Sequence, residues 1–431
     1  MTTIANSNIQ DLLDFIDASP SPWHVVTTSS ERLTKAGFKA LNESEAWQLE
    51  TGGRYFVTRG GSSIIAFTIG QNSLPISGFN MVGAHTDSPG LRLKPHAAFS
   101  SDGLIRIGVE VYGEPILATF ADRDLSMAGR VNVRIANGFE TRLIKFDKPL
   151  LRLPNLAIHM NREVNDKGLK FNKQTELPLL FGESANGIEA DAQFLGHIAK
   201  SIKVEVKDII NFELNVFDTQ KGIIWGANQE FIADSQLDNL ASCHAALSAL
   251  LANKKPNNTA ICALFDHEEV GSESATGASG SFLADIVERI SLHLNKEEKL
   301  RALANSFFIS ADMAHAFHPN HAGSYEPCHH VHINKGPVIK TNANQRYATN
   351  AESAARFIRL CEHAGVPYQE YAHRTDLGCG STIGPIVASR LGVASVDVGS
   401  PMWAMHSVRE STGVLDHAYM IKVLTTYYSY K

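Results

Sequence analysis

The sequence predicts an α/β fold, an α/β/α sandwich with a largely parallel sheet that is interrupted by a β-rich insert. Two observations support this. From about residue 237 onward, short apolar strands alternate with helix-length segments, a pattern typical of a largely parallel sheet covered on both faces. Between residues 93 and 231, alternating strands and turn signals dominate instead. We therefore expect one discontinuous α/β domain, 1–92 and 232–431, and a β-rich domain, 93–231.

The N-terminal part of the α/β domain shows one helix and three strands. Four apolar residues recur at helical spacing, namely Ile9, Leu12, Leu13 and Ile16. They predict a helix over residues 8–17, which the Ser-Pro-Ser-Pro sequence at 19–22 ends. Two apolar runs around Gly60-Gly61 predict a hairpin within 54–70, and residues 80–84 predict a short buried strand that leads into His85.

The insert has the period-2 alternation of half-buried strands. Residues 105–111 and 209–217 alternate in this way, and 131–146 predicts a hairpin. Asn137-Gly138 is expected to provide the positive φ angles of its tight turn. A single helix is predicted within this region, over residues 190–202.

The remainder of the chain alternates helices with short apolar strands. The predicted helices cover residues 237–252, 280–294, 350–360, 380–392 and 416–430. The predicted strands cover residues 259–265, 307–311 and 393–398.

Composition narrows the class of protein. The 431 residues include 39 basic and 45 acidic side chains, so the net charge of −6 argues against a nucleic-acid partner. No apolar run approaches the roughly 18 residues of a membrane helix. The five cysteines are odd in number and form no CxxC pair, which argues against a disulfide framework and a thiolate zinc site. The N-terminal segment lacks a basic leader. We expect a cytoplasmic protein without a membrane partner.

Polar side chains follow several of the predicted strands. His85 and Asp87 come after strand 80–84, residues 266–269 follow strand 259–265, and Asp312 follows strand 307–311. His406 comes a short loop after strand 393–398, and Asp238 lies at the start of a predicted helix. Because ligands bind outside the carboxyl ends of the strands in open α/β sheets, we expect these groups to converge.

Two histidines and three carboxylates suit a pair of divalent metal ions. Imidazole and carboxylate are donors that zinc accepts. Each residue alone has an ordinary explanation, such as a helix N-cap for Asp238. Other catalytic patterns fail: His267-Glu268 would begin an HExxH motif, but Gly271 replaces its second histidine, and GxSxG, Walker and GxGxxG sequences are absent.

The sequence resembles the aspartyl aminopeptidase family. The matching segments are GAHTDSPGLRLKP (83–95), DRDLSMAGRV (122–131), LPNLAIHMNR (153–162), LDNLASC (237–243), FDHEEVGSESATGA (265–278), SADMAHAFHPN (310–320), KGPVIKTNANQRYATN (335–350), GSTIGPIVASRLG (380–392) and VDVGSPMWAMHSVRE (396–410). The resemblance covers nearly the whole chain, with two notable departures from the family pattern, at residues 112–124 and 233–239. It implies a zinc-peptidase-like α/β fold and a dinuclear metalloaminopeptidase.

The resemblance also implies a role for each candidate residue. His85 and Asp312 would bind one divalent metal ion, Glu269 and His406 a second, and Asp238 both. Glu268 would be the general base and Asp87 would orient His85. Zinc is the expected metal, with cobalt and manganese as alternatives. The residues that match substrate contacts in the family are His159, His315, Lys340 and Tyr347.

The expected substrates are peptides with an acidic N-terminal residue. The family also forms homo-oligomers, self-compartmentalised tetrahedral dodecamers in which the insert makes subunit contacts, so His159 is expected to complete a neighbour's site. Three alternatives remain at this stage: a preference for neutral N-terminal residues, a catalytically silent scaffold, and a carboxypeptidase or amidohydrolase on the same fold.

Overall fold

A nine-stranded sheet forms the centre of the fold. The computed structural model describes residues 2–429, and the side chains from residue 8 onward. In sheet order, the strands are β1 (Lys39–Ala40), β2 (Arg54–Arg59), β3 (Ser63–Thr68), β13 (Thr259–Phe265), β4 (Phe79–His85), β14 (Phe307–Ala311), β18 (Ala394–Gly399), β16 (Val338–Thr341) and β17 (Gln369–Ala372).

The four central strands, β13, β4, β14 and β18, are parallel neighbours, so their carboxyl ends lie at one edge of the sheet. The flanking pairs are partly antiparallel: β2 with β3, β3 with β13, and β16 with β18. The α/β class is therefore confirmed, and the sheet is mixed. The hairpin predicted within 54–70 accounts for part of this mixture, because it places antiparallel strands beside the parallel centre.

Helices cover both faces of this sheet, as predicted. They are α1 (Thr2–Ala18), α2 (Pro22–Lys35), α3 (Leu74–Ser77), α6 (Leu237–Ala252), α7 (Phe282–Ile290), α8 (Lys296–Ala304), α9 (Ala351–Ala364), α10 (Ile383–Leu391) and α11 (Val414–Ser429). Along β4, Val82 and Ala84 pack in the cluster that contains α1, α6 and α11. Phe79 and Met81 pack on the opposite face with α7 and α10. Successive side chains of a strand point to opposite faces, so both faces are buried.

A second sheet is formed by six antiparallel strands. In sheet order these are β8 (Gly138–Lys145), β7 (Leu125–Ile135), β10 (Ile209–Asp218), β5 (Gly90–Ser101), β6 (Leu104–Tyr112) and β9 (Leu179–Glu183). Helix α5 (Ala190–Ile202) packs on it through Phe194 and Ile198, in a separate hydrophobic cluster. A one-turn helix, α4 (Val164–Lys167), lies between β8 and β9. These elements agree with a β-rich region, whereas its boundaries, 93–231, stay a prediction.

A third sheet has five strands, which come from three separate parts of the chain. Its strands in order are β11 (Ile223–Trp225), β12 (Phe231–Asp234), β20 (Glu410–Gly413), β19 (Pro401–Trp403) and β15 (Ala314–His315). The loop between β19 and β20 carries His406, so this sheet fixes the position of a predicted ligand.

Two local predictions are refined. The Ser-Pro-Ser-Pro sequence ends α1 as predicted, but it also starts α2, with Pro22 in the first turn, where a missing N–H costs nothing. The hairpin of β7 and β8 is present, yet only Gly138 has a positive φ, of 118°. The prediction of a positive φ at Asn137 was wrong, because Gly138 alone supplies the unusual conformation. Among residues 2–429, no helix is both long and apolar enough to span a membrane.

Candidate metal centre

The predicted ligands meet at the edge where the central parallel strands end. His85 is the last residue of β4, and Asp312 directly follows β14. Glu268 and Glu269 begin a short 3₁₀ turn, Glu268–Val270, just after β13. Asp238 lies in the first turn of α6, where Gln236 rather than Asp238 is the N-cap residue. The arrangement is the crevice expected at the carboxyl ends of parallel strands.

Two groups of potential ligands share Asp238. In the first, His85, Asp238 and Asp312 place one ligand atom each within 4.8 Å of one another. The His85 Nε2 atom lies 3.6 Å from Asp238 Oδ1 and 3.4 Å from Asp312 Oδ1. In the second group, His406 Nε2 lies 3.4 Å from both Asp238 Oδ2 and Glu269 Oε2. One oxygen of Asp238 therefore faces each group.

Both histidines have the orientation that metal ligation requires. His85 Nδ1 donates to the carbonyl oxygen of Asp87 at 3.1 Å. His406 Nδ1 donates to the carbonyl oxygen of Glu114, also at 3.1 Å. Because carbonyl oxygens only accept, Nδ1 carries a hydrogen in each ring, and Nε2 is the nitrogen that faces the carboxylates of the cluster. Fixing the tautomer in this way is typical of metal-binding histidines.

Asp87 connects the first histidine with the Glu268–Val270 turn. Its two carboxylate oxygens accept the backbone N–H groups of Glu268 and Glu269, each at 3.1 Å, and the hydroxyl of Tyr112 at 2.7 Å. Its Oδ1 atom is 3.5 Å from His85 Nδ1, farther than its own carbonyl oxygen. Burial alone would raise the pKa of Asp87, but the hydrogen bonds from His85 and Tyr112 lower it below its ordinary value. Asp87 thus stays ionised and holds the turn.

The cluster brings several buried carboxyl groups close together. Burial, reinforced by the charge of neighbouring carboxylates, raises the pKa of Glu268 to about 8, and it also raises the pKa of Glu269 and Asp238. The Oδ1 atom of Asp238 is buried and accepts no hydrogen bond from the described residues. Buried carboxylates need a partner charge or a metal ion. The donor set, two imidazoles and several carboxylates, fits divalent zinc and similar metals.

The comparisons with known proteins agree with this geometry. Residues 15–428 match the family described as Aminopeptidase I zinc metalloprotease (M18). A probable M18 family aminopeptidase 2 from Pseudomonas aeruginosa is 47% identical over 422 residues, which cover 97% of each chain. The chain belongs to the M18 aminopeptidase family. It is therefore a metalloaminopeptidase, a hydrolase that acts on peptides.

Solved structures of this M18 family have the same fold. One chain in a cryo-EM structure of a complex of Ape4 and Nbr1 superposes with a TM-score of 0.96 at 38% identity, covering 100% of this chain and 86% of that chain. A chain of the S. cerevisiae mApe1 dodecamer superposes with a TM-score of 0.86 at 29% identity, with coverage of 99% and 97%. The zinc-peptidase-like expectation for the fold is thereby confirmed.

Three of the four predicted substrate residues lie beside the metal centre of this M18 aminopeptidase. Lys340 is buried, and its ammonium donates to Asp312 Oδ2 at 3.3 Å and to the Met313 carbonyl at 3.1 Å. It also lies 5.1 Å from the ring centre of Tyr347. Burial and the nearby Lys340 charge lower the pKa of His315 to about 4, so its imidazole is neutral near pH 7.

His159 is not brought to this cluster within one chain. It lies on an exposed turn between β8 and β9, and none of the groups of potential metal ligands among the described residues includes it. Its predicted role at a neighbouring subunit's site therefore stays a prediction.

The sequence interpretation missed Glu410. This buried carboxylate accepts the backbone N–H of His406 at 2.7 Å and that of Asp238 at 2.9 Å, so it joins one ligand of each group. Glu410 belongs to the matching segment 396–410, four residues after His406. Its position close to His406 in sequence was the only indication of a role. Glutamate side chains are usually exposed, and nothing in the local sequence shows that this one is buried.

Proposed function

We propose that this M18 aminopeptidase binds two divalent metal ions and uses Glu268 as the general base of peptide hydrolysis. The observation that carries the proposal is the position of Asp238, whose two oxygens face two separate sets of ligands. His85 and Asp312 would complete one metal site, and Glu269 and His406 the other. Five ligands exceed the three that a single catalytic zinc with an open position requires. Zinc is the proposed metal, with cobalt and manganese as alternatives.

The protein groups around this pair can move the protons of the reaction. Two divalent ions would polarise the scissile carbonyl, lower the pKa of a water molecule and neutralise the nearby carboxylates. Glu268 would take a proton from the attacking water on its carboxylate and deliver it to the leaving amine. Its Oε2 atom lies 4.0 Å from His85 Nε2, so it faces the cluster. Asp87 holds the Glu268 backbone and thereby positions this base.

We further propose a preference for acidic N-terminal residues, with Lys340, His315 and Tyr347 on the substrate side. A carboxylate that enters a pocket loses its water and is tolerated only when it is paired. The buried Lys340 ammonium has three donors, of which the described contacts with Asp312 and Met313 use two. The remaining donor and the positive charge favour an acidic side chain. The alternative is a neutral preference, in which Lys340 serves only Asp312.

A substrate panel with metal-depleted and metal-reconstituted enzyme tests both proposals. We expect hydrolysis of unblocked Asp and Glu substrates that disappears on metal removal and returns with zinc. Faster cleavage of Leu or Ala substrates would contradict the acidic preference alone. Cleavage of N-blocked substrates would favour a carboxypeptidase or amidohydrolase. Full activity without metal would contradict the metal mechanism.

A homo-oligomer, up to a tetrahedral dodecamer, is the third part of the proposal. The support is the apolar surface of the β-rich region, together with the dodecamer formed by the related mApe1. Its exposed apolar side chains include Ile135, Phe139, Leu156, Ile158 and Met160. These side chains fall in two short stretches, 135–139 and 156–160, and groups of exposed apolar side chains often mark a protein contact. His159 lies among the last three of these residues, so it would reach a neighbouring subunit's site.

Light scattering of the purified protein tests this assembly. A fully active monomer would contradict both the assembly and the role of His159. The division into 1–92, 93–231 and 232–431 and a cytoplasmic location belong to the same proposal, and limited proteolysis and cell fractionation would test them.

A further inference from the structure

One segment of the β-rich region reaches into the metal centre. Residues 112–119 begin at the last residue of β6 and continue into the loop by which the chain leaves the second sheet. This segment lies within the stretch that departs from the family pattern, and none of its residues is among the potential metal ligands. Its residues nevertheless contact Glu269 and His406 of the second ligand group directly, and they reach His85 of the first group through Asp87.

The first contact is made by Tyr112, the last residue of β6. Its hydroxyl donates to Asp87 Oδ2 at 2.7 Å, the same oxygen that accepts the backbone N–H of Glu269. The guanidinium of Arg92 lies 3.6 Å from the ring centre of Tyr112, a cation–π contact that fixes the ring. The Tyr112 hydroxyl therefore donates from a fixed position to the Asp87 carboxylate. The same carboxylate accepts the backbone N–H groups of the Glu268–Val270 turn.

The next residues hold His406. The Glu114 carbonyl accepts from His406 Nδ1 at 3.1 Å, and the Ile116 N–H donates to the His406 carbonyl at 2.9 Å. Thr119 Oγ1 accepts the N–H of Val408 at 2.9 Å. Two hydrogen bonds from this segment therefore fix the ring and the backbone of His406, and a third holds Val408 two residues later.

Gly113 lies between these contacts and packs against Glu269. Its φ is +65°, and a Cβ atom there would lie 3.2 Å from Glu269 Cβ and 3.3 Å from the Glu269 carbonyl oxygen. These distances are tighter than ordinary van der Waals contact. The segment therefore passes so close to the second ligand group that only a glycine fits without displacing Glu269.

We propose that residues 112–119 form a positioning element of the metal centre, with Tyr112 as a positioning residue that acts through Asp87. The inference rests on the proposed function, because it assumes metal ions at the cluster. It adds that the geometry of the centre depends on the β-rich region, and it names the residues that transmit this dependence. Residues that orient metal ligands from outside the coordination shell typically affect metal affinity or activity.

The variant Tyr112→Phe tests the hydroxyl, because it keeps the ring that stacks on Arg92. Tyr428→Phe is the matched control: its hydroxyl is also buried and donates at 3.0 Å, but to the Ile261 carbonyl in the core. Gly113→Ala tests the close approach to Glu269. Gly103→Ala is its control, at the other end of β6, with a similar φ of +80° and nothing within 4 Å of the added atom.

The readout is the visible absorption spectrum of bound cobalt, with cobalt affinity in chelator competition and kcat and KM measured alongside. We expect Tyr112→Phe and Gly113→Ala to change the spectrum and to lower affinity or kcat by about 10- to 100-fold, with little change in KM. Both controls should keep the wild-type spectrum. Wild-type spectrum, affinity and kcat in Tyr112→Phe and Gly113→Ala would overturn this inference alone. A wild-type protein that binds fewer than two cobalt ions would overturn the proposed function and the inference with it.

Discussion

In most proteins polar side chains are exposed and large apolar side chains are buried. The nine-stranded sheet and the six-stranded sheet each contain an exception to this rule, and the two exceptions are opposite. At the carboxyl edge of the first sheet, polar groups such as His85, Asp87 and Asp238 are buried. On the second sheet and its loops, large apolar groups such as Phe139 and Met160 are exposed. A buried polar group or an exposed apolar patch is informative because each is costly unless a partner compensates. We infer that metal ions offset the cost of burying the polar groups in the first region, and that other subunits cover the exposed apolar groups of the second region.

The two regions are not independent, because residues 112–119 connect them. Tyr112 ends a strand of the six-stranded sheet and donates to Asp87 at the edge of the nine-stranded one. Substitutions in each region should show whether metal ions and other subunits have these roles, and the largest effects are expected among the buried polar groups.

The largest effect is expected for Glu268→Gln. Glutamine keeps the shape of the side chain but cannot take a proton from water, so activity should fall on the order of 10²–10⁴-fold. Metal content, measured by elemental analysis, should stay close to wild type because Glu268 is not one of the five proposed ligands. Glu273→Gln, at an exposed position of the following loop, is the control. Near-normal turnover in Glu268→Gln would remove this residue from the mechanism.

Lys340→Met should separate acidic from neutral substrates. Loss of a buried partner charge costs roughly 2–5 kcal/mol, so kcat/KM for Asp and Glu substrates should fall accordingly, whereas Leu and Ala substrates should change much less. Because Lys340 also donates to Asp312, metal content must be measured in the same samples. Lys335→Met removes an exposed lysine nearby and serves as control.

An equal loss for both substrate classes, with reduced metal content, would mean that Lys340 supports Asp312 rather than selecting the substrate. No loss for either class would place the acidic preference elsewhere or remove it.

The exposed apolar region is tested by Met160→Glu. Met160 is 74% exposed beside His159, and a charge there should oppose burial in a subunit contact. We expect smaller species in light scattering than for the wild-type protein. Ile76→Glu is a matched control, since Ile76 is 73% exposed but lies on α3, outside the β-rich region. Equal effects of both substitutions would contradict a specific role of this region in assembly.

The smallest effect is a pH dependence of metal binding. Burial raises the pKa of Glu268 to about 8, so in the metal-free protein this carboxyl holds a proton near neutral pH, and burial also raises the pKa of Glu269, which therefore binds its proton more tightly than an exposed carboxyl does. Metal binding must displace these protons, and affinity should therefore rise as pH increases toward about 8. Titration calorimetry in buffers of different ionisation enthalpy should detect more protons released at about pH 7 than at about pH 9. A pH-independent affinity would contradict the buried, protonated state of these carboxyls.

The sequence was most informative where local periodicity and packing agree. The bounds of α5 and α6, and those of β13 and β14, coincide with the predicted segments, because their apolar patterns are also their buried faces. The strands β16 and β17, the last two at one side of the nine-stranded sheet, and the helix α8 were missed. They are short, and α8 is largely polar, with a capping box between Asn295 and Glu298 as its main signal.

The candidate ligands could be predicted because each follows a strand or begins a helix, and strand ends converge. Their supporting contacts could not. Glu410 meets the Asp238 N–H across 172 residues of sequence, and Lys340 meets Asp312 across 28. Such contacts depend on how sheets and loops pack in three dimensions, and no local pattern encodes them. The contact of Tyr112 with Asp87 is of the same kind.

The most direct test of the central claim is a zinc titration of metal-free protein, wild type and Asp238→Asn in parallel, with bound zinc counted per chain. We expect two tightly bound ions per wild-type chain, recovery of aminopeptidase activity as they bind, and a marked loss of affinity at one or both sites in Asp238→Asn. One ion per active wild-type chain, or two ions bound equally tightly by Asp238→Asn, would contradict a metal pair that shares Asp238.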